Sequence, residues 1–353
     1  MVQLLRGLCH RVAPVWRRLP PVSRLLEERN VANRDLAASQ VQLAALREAA
    51  GSPRTDPEGA PLLVNQQELN ERVAELERGQ LFPPGHFYSP IPDPAWLAEN
   101  AARLASANPT TLAGIELRAQ SQLDLLTQLG PLAAEIPFGE EPTATWRYGF
   151  ANDQYSYGDA SCLFAMLRHL RPKRYVEVGS GWSSALALDV NAAYFDYSMS
   201  LTFIEPYPER LEARLRPEDL DVVTLHRCPV QEVDLNVFTS LEAGDICFID
   251  STHVSKAGSD VNFLVFEVLP RLAAGVHVHV HDIGWPFEYF EDWLKQGRNW
   301  NETYLLRAYL ADNRCYEIQL WNSYLMRNHG AALCAALPLS ARNTGASLWL
   351  RRV

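Results

Sequence analysis

The second half of the chain alternates between short apolar runs and helical segments, and this alternation constrains the fold more than any other feature. Strands separated by helical patterns indicate βαβ units in a mostly parallel sheet. We therefore predict a doubly wound α/β fold in which ligands bind at the carboxyl ends of the strands. The predicted strands are RYVEVG (174–179), SLTFIEP (200–206), DVVTLHR (221–227), DICFID (245–250) and GVHVHVHDI (275–283).

Composition excludes several classes of protein. The chain has 353 residues and a formal net charge of −10, which argues against broad nucleic-acid binding because that function requires a basic surface. A run of about 18 apolar residues is absent from the sequence, so we expect no membrane-spanning segment. The six cysteines lie far apart and form no CxxC pair. That spacing is typical of reduced thiols, and we expect a cytoplasmic protein.

The N-terminal part of the chain predicts a helical arm over residues 1–80. Apolar residues recur at helical spacing in 22–50 and again in 66–79, and the linker GSPRTDPEGAP (51–61) separates the two segments. These helices could pair with each other, pack on the main domain, or pair with a second subunit to form a homo-oligomer. The pattern leaves these alternatives open.

Residues 81–150 form a predicted proline-rich and helical lid region, and we place the main domain at 151–353. The segment LFPPGHFYSPIPDPAW (81–96) contains five prolines, which exclude both a regular helix and a central strand. Its aromatic side chains could line a pocket or pack over a core. Further helices are predicted at 95–107 and 112–130.

A glycine-containing turn follows the first predicted strand, in VEVGSGWSSALAL (176–188). Glu177 ends the strand, Gly179 and Gly181 make the turn, and a helix begins directly afterwards. Glycines allow a ligand to approach the backbone, and a helix N-terminus offers free N–H groups. The dinucleotide-binding fingerprint requires a third glycine where Ser184 stands, so the pattern disfavours a nicotinamide cofactor.

Polar side chains occur at the ends of five successive predicted strands. They are Glu177, Glu205, Gln231, Asp250 and Asp282. Because the carboxyl ends of parallel strands meet at one edge of a sheet, we expect these groups to line one crevice. A carboxylate at the end of the second strand is placed to accept hydrogen bonds from the hydroxyls of a ribose.

The segment GVHVHVHDIGW (275–285) carries His277, His279 and His281 at alternate positions, which face one side of a strand. Central strands of a parallel sheet are buried on both faces, so we expect His277 and His279 to be buried, neutral and hydrogen-bonded. His281 and Asp282 would then lie at the functional end of the strand. A competing hypothesis uses the three histidines as metal ligands of a hydrolase or oxygenase.

The motifs EVGSGWSS, IEP and FIDSTH, with LPRLAAGVHVHVHDI, make residues 150–325 resemble the class I S-adenosylmethionine-dependent methyltransferases. The D-x-x-H after strand four and the H-D after strand five resemble a subgroup that includes sugar and natural-product O-methyltransferases. PPGHFYSPIPD, WNETYLLRAYL (300–310) and GASLWLRR (345–352) resemble that subgroup too. The resemblance implies a Rossmann-like sheet with an N-terminal helical extension. It also implies S-adenosylmethionine-dependent methylation of a hydroxyl on a small-molecule acceptor.

The resemblance implies a role for each of several residues toward S-adenosylmethionine. Glu177, Gly179 and Gly181 would face the methionine part of the cofactor, Glu205 would bind the ribose hydroxyls, and Gln231 or its neighbours would contact the adenine.

Two residues before the first strand are further candidates for cofactor binding. Asp159 would hold the cofactor amino group, with Tyr157 beside it. The alternative for Asp159 is an N-cap of the first helix of the domain.

The same resemblance assigns the catalytic base to His253, which follows Asp250 in the D-x-x-H arrangement. Removal of the acceptor proton requires a group that titrates near neutral pH, as imidazole does. The alternative is that His253 only caps the following helix.

A metal site at Asp250, His281 and Asp282 is a further expectation. Related metal-dependent enzymes hold Mg²⁺ with the strand-four aspartate and an acidic pair after strand five. Mg²⁺ prefers oxygen ligands, whereas imidazole suits Zn²⁺, Fe²⁺ or Mn²⁺ better. A divalent metal such as Mg²⁺ or Mn²⁺ therefore stays open against the alternative that His281 binds an acceptor hydroxyl without metal.

The acceptor side of the pocket has weaker candidates. Glu288, Tyr289, Trp300, Asn301 and Glu302 could build it, although ordinary packing explains the aromatic residues as well. A last alternative is a non-catalytic protein that keeps this fold and uses its N-terminal helices for assembly.

Overall fold

The structure is a computed structural model that describes residues 82–353. Its contacts divide the chain into two units, Met1–Pro90 and Ile91–Val353, and each is described by itself. The helices predicted at 22–50 and 66–79, and the oligomer contact predicted for them, lie outside the described residues. Within the described part, no helix is long and apolar enough to cross a membrane.

Residues 82–90, the described part of the first unit, form a small aromatic cluster. The His86 ring stacks on Phe82 and Phe87, with centroid distances of 4.7 and 4.4 Å. The Tyr88 backbone N–H donates a hydrogen bond to Nδ1 of His86 at 3.1 Å. The proline-rich segment is therefore neither helix nor strand here, as predicted.

A seven-stranded sheet dominates the second unit, and all five predicted strands belong to it. The first five strands run parallel, whereas the seventh is antiparallel to both of its neighbours. The prediction of a Rossmann-like, mostly parallel sheet is confirmed. The strands are β1 (Arg174–Val178), β2 (Ser200–Ile204), β3 (Val223–His226), β4 (Ile246–Ile249), β5 (His277–Val280), β6 (Tyr316–Trp321) and β7 (Leu348–Arg352).

The strand order is β3-β2-β1-β4-β5-β7-β6. The chain reverses its direction across the sheet between β1 and β4, and ligand crevices form at such a switch point. The register pairs Glu177 of β1 with Phe248 of β4, and Phe248 with His279 of β5. The last residues of these three strands therefore end at one level, where their connecting loops meet.

Helices surround the sheet, and their amphipathic or apolar sequences account for their burial. The third and fourth helices are buried over most of their length, which fits helices that pack between a sheet and other elements. The helices are α1 (Pro94–Ala105), α2 (Ala119–Ala133), α3 (Tyr157–Leu170), α4 (Trp182–Tyr194), α5 (Glu209–Glu212), α6 (Asn236–Thr239), α7 (Asp260–Phe263), α8 (Glu291–Lys295), α9 (Glu302–Leu310) and α10 (Asn322–Ala336).

Several short turns complete the second unit. Helix α7 continues into a π-helical turn, Leu264–Val268, and a 3-10 turn, Leu269–Arg271. Three further 3-10 turns are Pro217–Asp219, Val230–Glu232 and Pro338–Ala341. The turn after β3 and the loop after β4 face the same end of the sheet because both follow parallel strands.

The helix predicted at 112–130 begins later than expected. Leu112 forms an isolated β-bridge with Ile115, across Gly114 in the left-handed conformation. Arg118 is also left-handed, with φ of 52°, so α2 starts only at the next residue. The spacing of apolar residues predicted a helix from residue 112, but the left-handed residues at 114 and 118 cannot belong to a right-handed helix.

Residues 91–150 belong to the same compact unit as the sheet, so the unit boundary lies after Pro90 and not at 150. Helix α2 buries Leu126 and Leu129 against the core. The side chain of Gln122 in α2 accepts the Trp321 backbone N–H at 2.9 Å and donates to the Leu117 carbonyl. The proposed lid region is therefore largely an integral layer of the domain.

Candidate functional site

The glycine turn between β1 and α4 forms the centre of the site. Gly179 has φ of +80°, and a Cβ on it would lie 2.0 Å from the backbone oxygen of Asp250. Gly181 is extended, with φ of 175°, and a Cβ there would lie 3.3 Å from the flexible side chain of Arg210. Gly179 is therefore required by sterics, and Gly181 is not.

Ser184 replaces the third glycine of a dinucleotide fingerprint, and the structure gives it a different task. Its Oγ accepts the backbone N–H of Gly181 at 3.0 Å, which caps the start of α4. Ser184 is fully buried. This serine thus satisfies one of the free N–H groups that a helix start would otherwise leave unpaired.

Glu177 lies buried beneath the turn. Its Oε1 accepts a hydrogen bond from the Ser183 hydroxyl at 2.5 Å, while its Oε2 has no hydrogen-bond partner among the described residues. Burial raises the pKa of Glu177 to about 8, against the opposing effect of its hydrogen bonds. A buried oxygen without a partner is costly, so it marks a place where a ligand's donor would be accommodated.

Glu205 follows β2, and its carboxylate links the end of this strand to the glycine turn by hydrogen bonds. Its Oε2 accepts the Ser180 N–H at 3.0 Å, and its Oε1 accepts the Tyr207 N–H at 2.9 Å. Burial raises the pKa of this carboxyl as well. Each carboxylate oxygen can accept a second hydrogen bond, so two ligand hydroxyls can still be bound here.

Gln231 and Tyr157 each have a partner within the protein. Gln231 lies exposed in the turn after β3, and its Nε2 donates to the Gly258 carbonyl at 2.7 Å. Tyr157 is the first residue of α3, and its hydroxyl donates to Glu140 at 2.7 Å while its ring stacks on Phe150. Their predicted contacts with the cofactor stay predictions.

Asp159 connects α3 to the start of β7. Its Oδ1 accepts three hydrogen bonds, from Asn322 Nδ2 at 3.0 Å, from the Ala346 N–H at 3.0 Å and from the Ser347 hydroxyl at 2.6 Å. The alternative that Asp159 caps α3 is wrong, because the N-cap residue is Ser156. One of its oxygens is thus fully used by the protein's own donors.

A second constellation lies at the ends of β4 and β5, around His253. This imidazole is buried, and its Nδ1 lies 2.9 Å from Oε2 of Glu302. Its Nε2 lies 3.5 Å from Oδ1 of Asp250 and 3.5 Å from Oδ2 of Asp282. The D-x-x-H motif and the end of β5 are therefore brought together in one cluster, which holds three carboxylates around one imidazole.

The electrostatics of this cluster favour a charged imidazole. Burial lowers the pKa of His253, but the hydrogen bond that Nδ1 donates to Glu302 and the charges of Glu302, Asp282 and Asp250 outweigh it and raise the pKa to about 9. The imidazole is therefore mostly protonated near neutral pH, and the neutral form that can accept a proton predominates only above about pH 9. A buried group whose pKa is shifted by specific charge partners is a candidate for a functional site.

Two residues of the cluster have unusual backbone conformations. His253 has φ of 61° and Asp282 has φ of 59°, both in the left-handed region that residues other than glycine seldom adopt. Such residues cost about 1–3 kcal/mol each and concentrate at functional sites. At His253, the backbone N–H donates to the Ser251 hydroxyl oxygen and the carbonyl accepts the N–H groups of Asn301 and Glu302, and these hydrogen bonds hold its conformation.

His281 continues the cluster along β5. Its Nε2 lies 3.4 Å from Oδ1 of Asp282, and its ring centroid lies 5.0 Å from that of Tyr155. Burial lowers the pKa of His281, but the charges of Asp282, Asp250 and Asp159 raise it to about 9. The protonated form of this imidazole donates hydrogen bonds from both nitrogens.

The predicted metal ligands Asp250, His281 and Asp282 directly follow β4 and β5. In the part of the chain from 82 to 353, no group of three histidine, cysteine, aspartate or glutamate side chains is arranged to hold a metal ion. Oxygens of both aspartates lie 3.5 Å from Nε2 of His253, and Nε2 of His281 lies 3.4 Å from Asp282. Their role as metal ligands stays a prediction.

The other two histidines of β5 differ from each other. His277 is buried, its Nδ1 lies 2.6 Å from Oε1 of Gln319, and burial lowers its pKa, as expected of a neutral packed histidine. His279 is also buried with a lowered pKa, but neither of its ring nitrogens has a partner among the residues described. The expected hydrogen bond of His279 is wrong, because its ring lies between Phe248 and Trp349.

An aromatic wall borders His253 on its outer side. The half-buried Trp300 ring lies 4.4 Å from the imidazole, and Trp293 and Tyr289 lie 5.3 and 5.9 Å from Trp300. The guanidinium of Arg298 lies over both tryptophans. The crevice thus offers an aromatic surface next to carboxylates.

Sequence reasoning placed Glu302 on the acceptor side of the pocket, but the structure places it against His253. The two residues are 49 positions apart, so no motif spacing connects them. The signal that could have found it is a lone glutamate at a helix start in an otherwise apolar, aromatic segment. Such a carboxylate needs a buried partner.

Comparisons with known proteins identify a methyltransferase domain in this part of the chain. The family described as "Methyltransferase domain" matches residues 176–283, from β1 to just beyond β5. The match includes the glycine turn and His253 but ends before Glu302. An uncharacterized protein of Archaeoglobus fulgidus is 34% identical over 173 residues, which cover 48% of this chain and 77% of that protein.

Three solved structures that the chain matches have low sequence identities. SAH-bound PaMTH1 of Podospora anserina is 16% identical at a TM-score of 0.36, covering 84% of this chain and 99% of that one. A putative O-methyltransferase from Klebsiella pneumoniae is 15% identical at 0.33, covering 73% and 96%. The Mg-SAM structure of cmcI-D160 is 18% identical at 0.34, covering 79% and 95%. TM-scores this low do not define the site or the substrate of this chain.

Proposed function

This chain belongs to the class I S-adenosylmethionine-dependent methyltransferases, and from that premise we propose that it methylates a hydroxyl oxygen of a small acceptor bound beside His253. The observation that carries the proposal is the position of Nε2 of His253, which lies 3.5 Å from one oxygen each of Asp250 and Asp282, the residues at the ends of β4 and β5. Asp250 also contacts the glycine turn through its backbone. Asp250 therefore lies against both the glycine turn, where the cofactor is proposed to bind, and the imidazole of the proposed base.

The residues around the glycine turn fit S-adenosylmethionine. A Cβ at Gly179 would close the turn, and the free Oε2 of Glu177 lies buried beneath it. In this proposal, Glu177, Gly179 and Gly181 contact the methionine part and Glu205 accepts hydrogen bonds from the ribose hydroxyls.

The chemistry of the proposal is an in-line displacement. Bound S-adenosylmethionine supplies an electrophilic methyl group on a positively charged sulfur. The acceptor oxygen forms a bond to the methyl carbon as the carbon–sulfur bond breaks, and the hydroxyl proton passes to Nε2 of His253. Asp250 and Asp282 flank Nε2 of the imidazole and stabilise the positive charge that His253 acquires.

The surroundings of His253 support a polyhydroxylated acceptor, either a sugar or a hydroxylated natural product. The Trp300 ring provides a flat apolar surface beside the imidazole, and the Asp250 and Asp282 carboxylates accept hydrogen bonds from hydroxyl groups. Pockets for such ligands combine aromatic surface with a few placed polar groups. Trp300 would therefore stack on the acceptor ring.

The proposal is tested by incubating the full chain and S-adenosylmethionine with a pool of hydroxylated acceptors. We expect a mass gain of one methyl group on a product. His253→Ala should reduce turnover about 10²–10⁴-fold, because it removes general-base catalysis, and should leave S-adenosylmethionine affinity by calorimetry within a few-fold. Turnover retained by His253→Ala would exclude His253 as the base.

A further inference from the structure

We infer that Glu302 is the positioning residue for His253: it holds the imidazole proton on Nδ1 and leaves Nε2 free to accept the proton of the acceptor. The inference rests on the proposed role of His253 as base. It concerns a residue that lies outside the matched methyltransferase region, 49 positions along the chain from His253.

Both carboxylate oxygens of Glu302 are committed to the turn that carries His253. Oε2 lies 2.9 Å from Nδ1 of the imidazole, and Oε1 accepts the hydroxyl of Ser251 at 2.9 Å. The Ser251 oxygen in turn accepts the backbone N–H of His253, also at 2.9 Å. The Glu302 carboxylate therefore contacts the imidazole ring directly, and it contacts the backbone of His253 through the Ser251 hydroxyl.

The backbone of α9 is docked on the same turn. The His253 carbonyl accepts the N–H groups of Asn301 and Glu302 at 3.0 and 3.1 Å. Oδ1 of Asn301 accepts the Ser255 N–H at 2.6 Å. The first residue of the helix is thus anchored by main-chain bonds, so the carboxylate position does not depend on its side-chain rotamer alone.

The three carboxylates around His253 are not equivalent. The Glu302 side chain is 3% exposed, whereas those of Asp250 and Asp282 are 34% and 17% exposed. At 3.5 Å, the two aspartates lie at the outer limit of hydrogen bonding from Nε2, whereas Glu302 is within normal range of Nδ1. Glu302 therefore occupies the closed side of the ring, and the aspartates occupy the side where a substrate enters.

This asymmetry determines the tautomer of His253. A carboxylate can only accept hydrogen bonds, so Nδ1 must be the donor, and a neutral imidazole then has its lone pair on Nε2. When Nε2 takes the acceptor proton, the positive charge forms beside the buried carboxylate and is stabilised there. Without the Glu302 carboxylate, the single N–H proton of the neutral imidazole could occupy Nε2, and Nε2 could then not accept the proton of the acceptor hydroxyl.

The tautomer can be measured without an acceptor. In the full chain labelled with ¹⁵N-histidine, the signal of His253 is identified by its loss in His253→Ala. We expect wild-type His253 in its neutral form to be protonated on Nδ1, and Glu302→Gln to shift it toward the Nε2–H form. Glu291→Gln is the matched control, because Glu291 is an exposed carboxylate paired with Lys295 on the surface. It should leave the His253 signal unchanged.

Kinetics provide the second readout. Glu302→Gln should lower kcat about 10²–10⁴-fold with little change in the KM for S-adenosylmethionine, and Glu302→Asp, which keeps the charge, should retain more turnover. In a His253→Ala background, Glu302→Gln should cause no additional loss, because it acts through the imidazole. An equal loss in both backgrounds would overturn the inference, since it indicates a purely structural role.

The two proposals fail in distinguishable ways. If His253→Ala keeps turnover, the base assignment fails, while the ¹⁵N signals still decide whether Glu302 sets the tautomer. If Glu302→Gln leaves the Nδ1–H tautomer in place, the positioning role is wrong even where His253→Ala is inactive. Should Glu302→Gln not fold, Glu302→Asp takes its place, with a partial tautomer shift as the expected result and an unchanged tautomer as the contradicting one.

Discussion

At the scale of single residues, the two glycines of the turn after β1 have different steric requirements. Gly179 is left-handed, and its missing Cβ would collide with a backbone oxygen of Asp250 that cannot move away without disturbing β4. Gly181 is extended and faces only the flexible Arg210 side chain. A G-x-G motif does not distinguish the two positions, whereas the structure shows a severe steric clash for a side chain only at Gly179.

This difference leads to a test of the turn. We expect Gly179→Ala to abolish S-adenosylmethionine binding and to lower the melting temperature. Its methyl group would lie 2.0 Å from the Asp250 oxygen, and the left-handed backbone adds roughly 1–2 kcal/mol of strain. Gly181→Ala should keep cofactor affinity within a few-fold. Calorimetry and thermal unfolding of both variants check this, and equal losses in the two would contradict the steric argument.

At the scale of elements, β5 shows that identical residues on one face of a strand have different environments. His277 is hydrogen-bonded to Gln319, and His281 faces Asp282. His279 lies between aromatic rings and has no hydrogen-bond partner in the described part of the chain. Alternation predicts that all three share a face, and it cannot predict what lies opposite each one. Opposite His279 the register places Trp349 of β7.

The buried His279 predicts an unusual stability effect. His279→Leu should raise the free energy of unfolding by about 1–2 kcal/mol, because a buried polar group without a partner is costly. Burial lowers the pKa of His279, so below about pH 6.5 the unfolded chain binds a proton that the folded state does not. The wild type should therefore lose stability as the pH falls through 6.5, and His279→Leu should lose less. Urea unfolding at pH 7 and pH 5 measures both effects.

His277→Leu is the matched control on the same strand. It removes the partner of Gln319, so we expect it to destabilise the protein by about 1 kcal/mol or more at pH 7. A loss of similar size in His279→Leu would show that the nitrogens of His279 are hydrogen-bonded in solution, by water or otherwise. The two variants thus separate a satisfied from an unsatisfied buried histidine.

At the scale of the whole molecule, a buried ion cluster joins the segment before α3 to the sheet domain. The Arg147 guanidinium contacts Asp189 of α4 and Asp219 of a 3-10 turn at 2.8 Å each, and all three side chains are almost fully buried. The backbone N–H groups of Arg147 and Tyr148 also donate to Asp189. The segment around Arg147 and Tyr148 is therefore integral to the sheet domain and not a detachable lid.

This cluster predicts a large effect for one substitution. Arg147→Leu would leave two buried carboxylates without a cation and should destabilise the protein by about 3–5 kcal/mol. Arg342→Leu removes an exposed ion pair with Glu140, which solvent screens, and should destabilise the protein far less. Urea denaturation of both variants at pH 7 provides the comparison. Similar losses would mean that Arg147 does not join the segment to the domain.

Much of the fold was predictable from local patterns. The five parallel strands, the glycine turn and the polar strand ends follow from periodicity and turn residues, and the structure places the strands within a few residues of their predicted bounds. The late start of α2 was not predictable in this way, since it depends on left-handed residues at 114 and 118. The antiparallel strands β6 and β7 were not predicted. The prediction relied on the alternation of strands with helices, which did not identify these two.

The sequence by itself determined the class of the fold and the edge at which the site would lie, because strand and helix periods, and the turn at Gly179, are local properties of the chain. Only the tertiary structure decided which groups meet. Glu302 lies against His253 and Asp159 faces β7, and these contacts join residues that are distant in sequence. Packing likewise leaves His279 without a hydrogen-bond partner among residues 82–353. Periodicity predicts which face a side chain occupies, but only packing determines what stands opposite it.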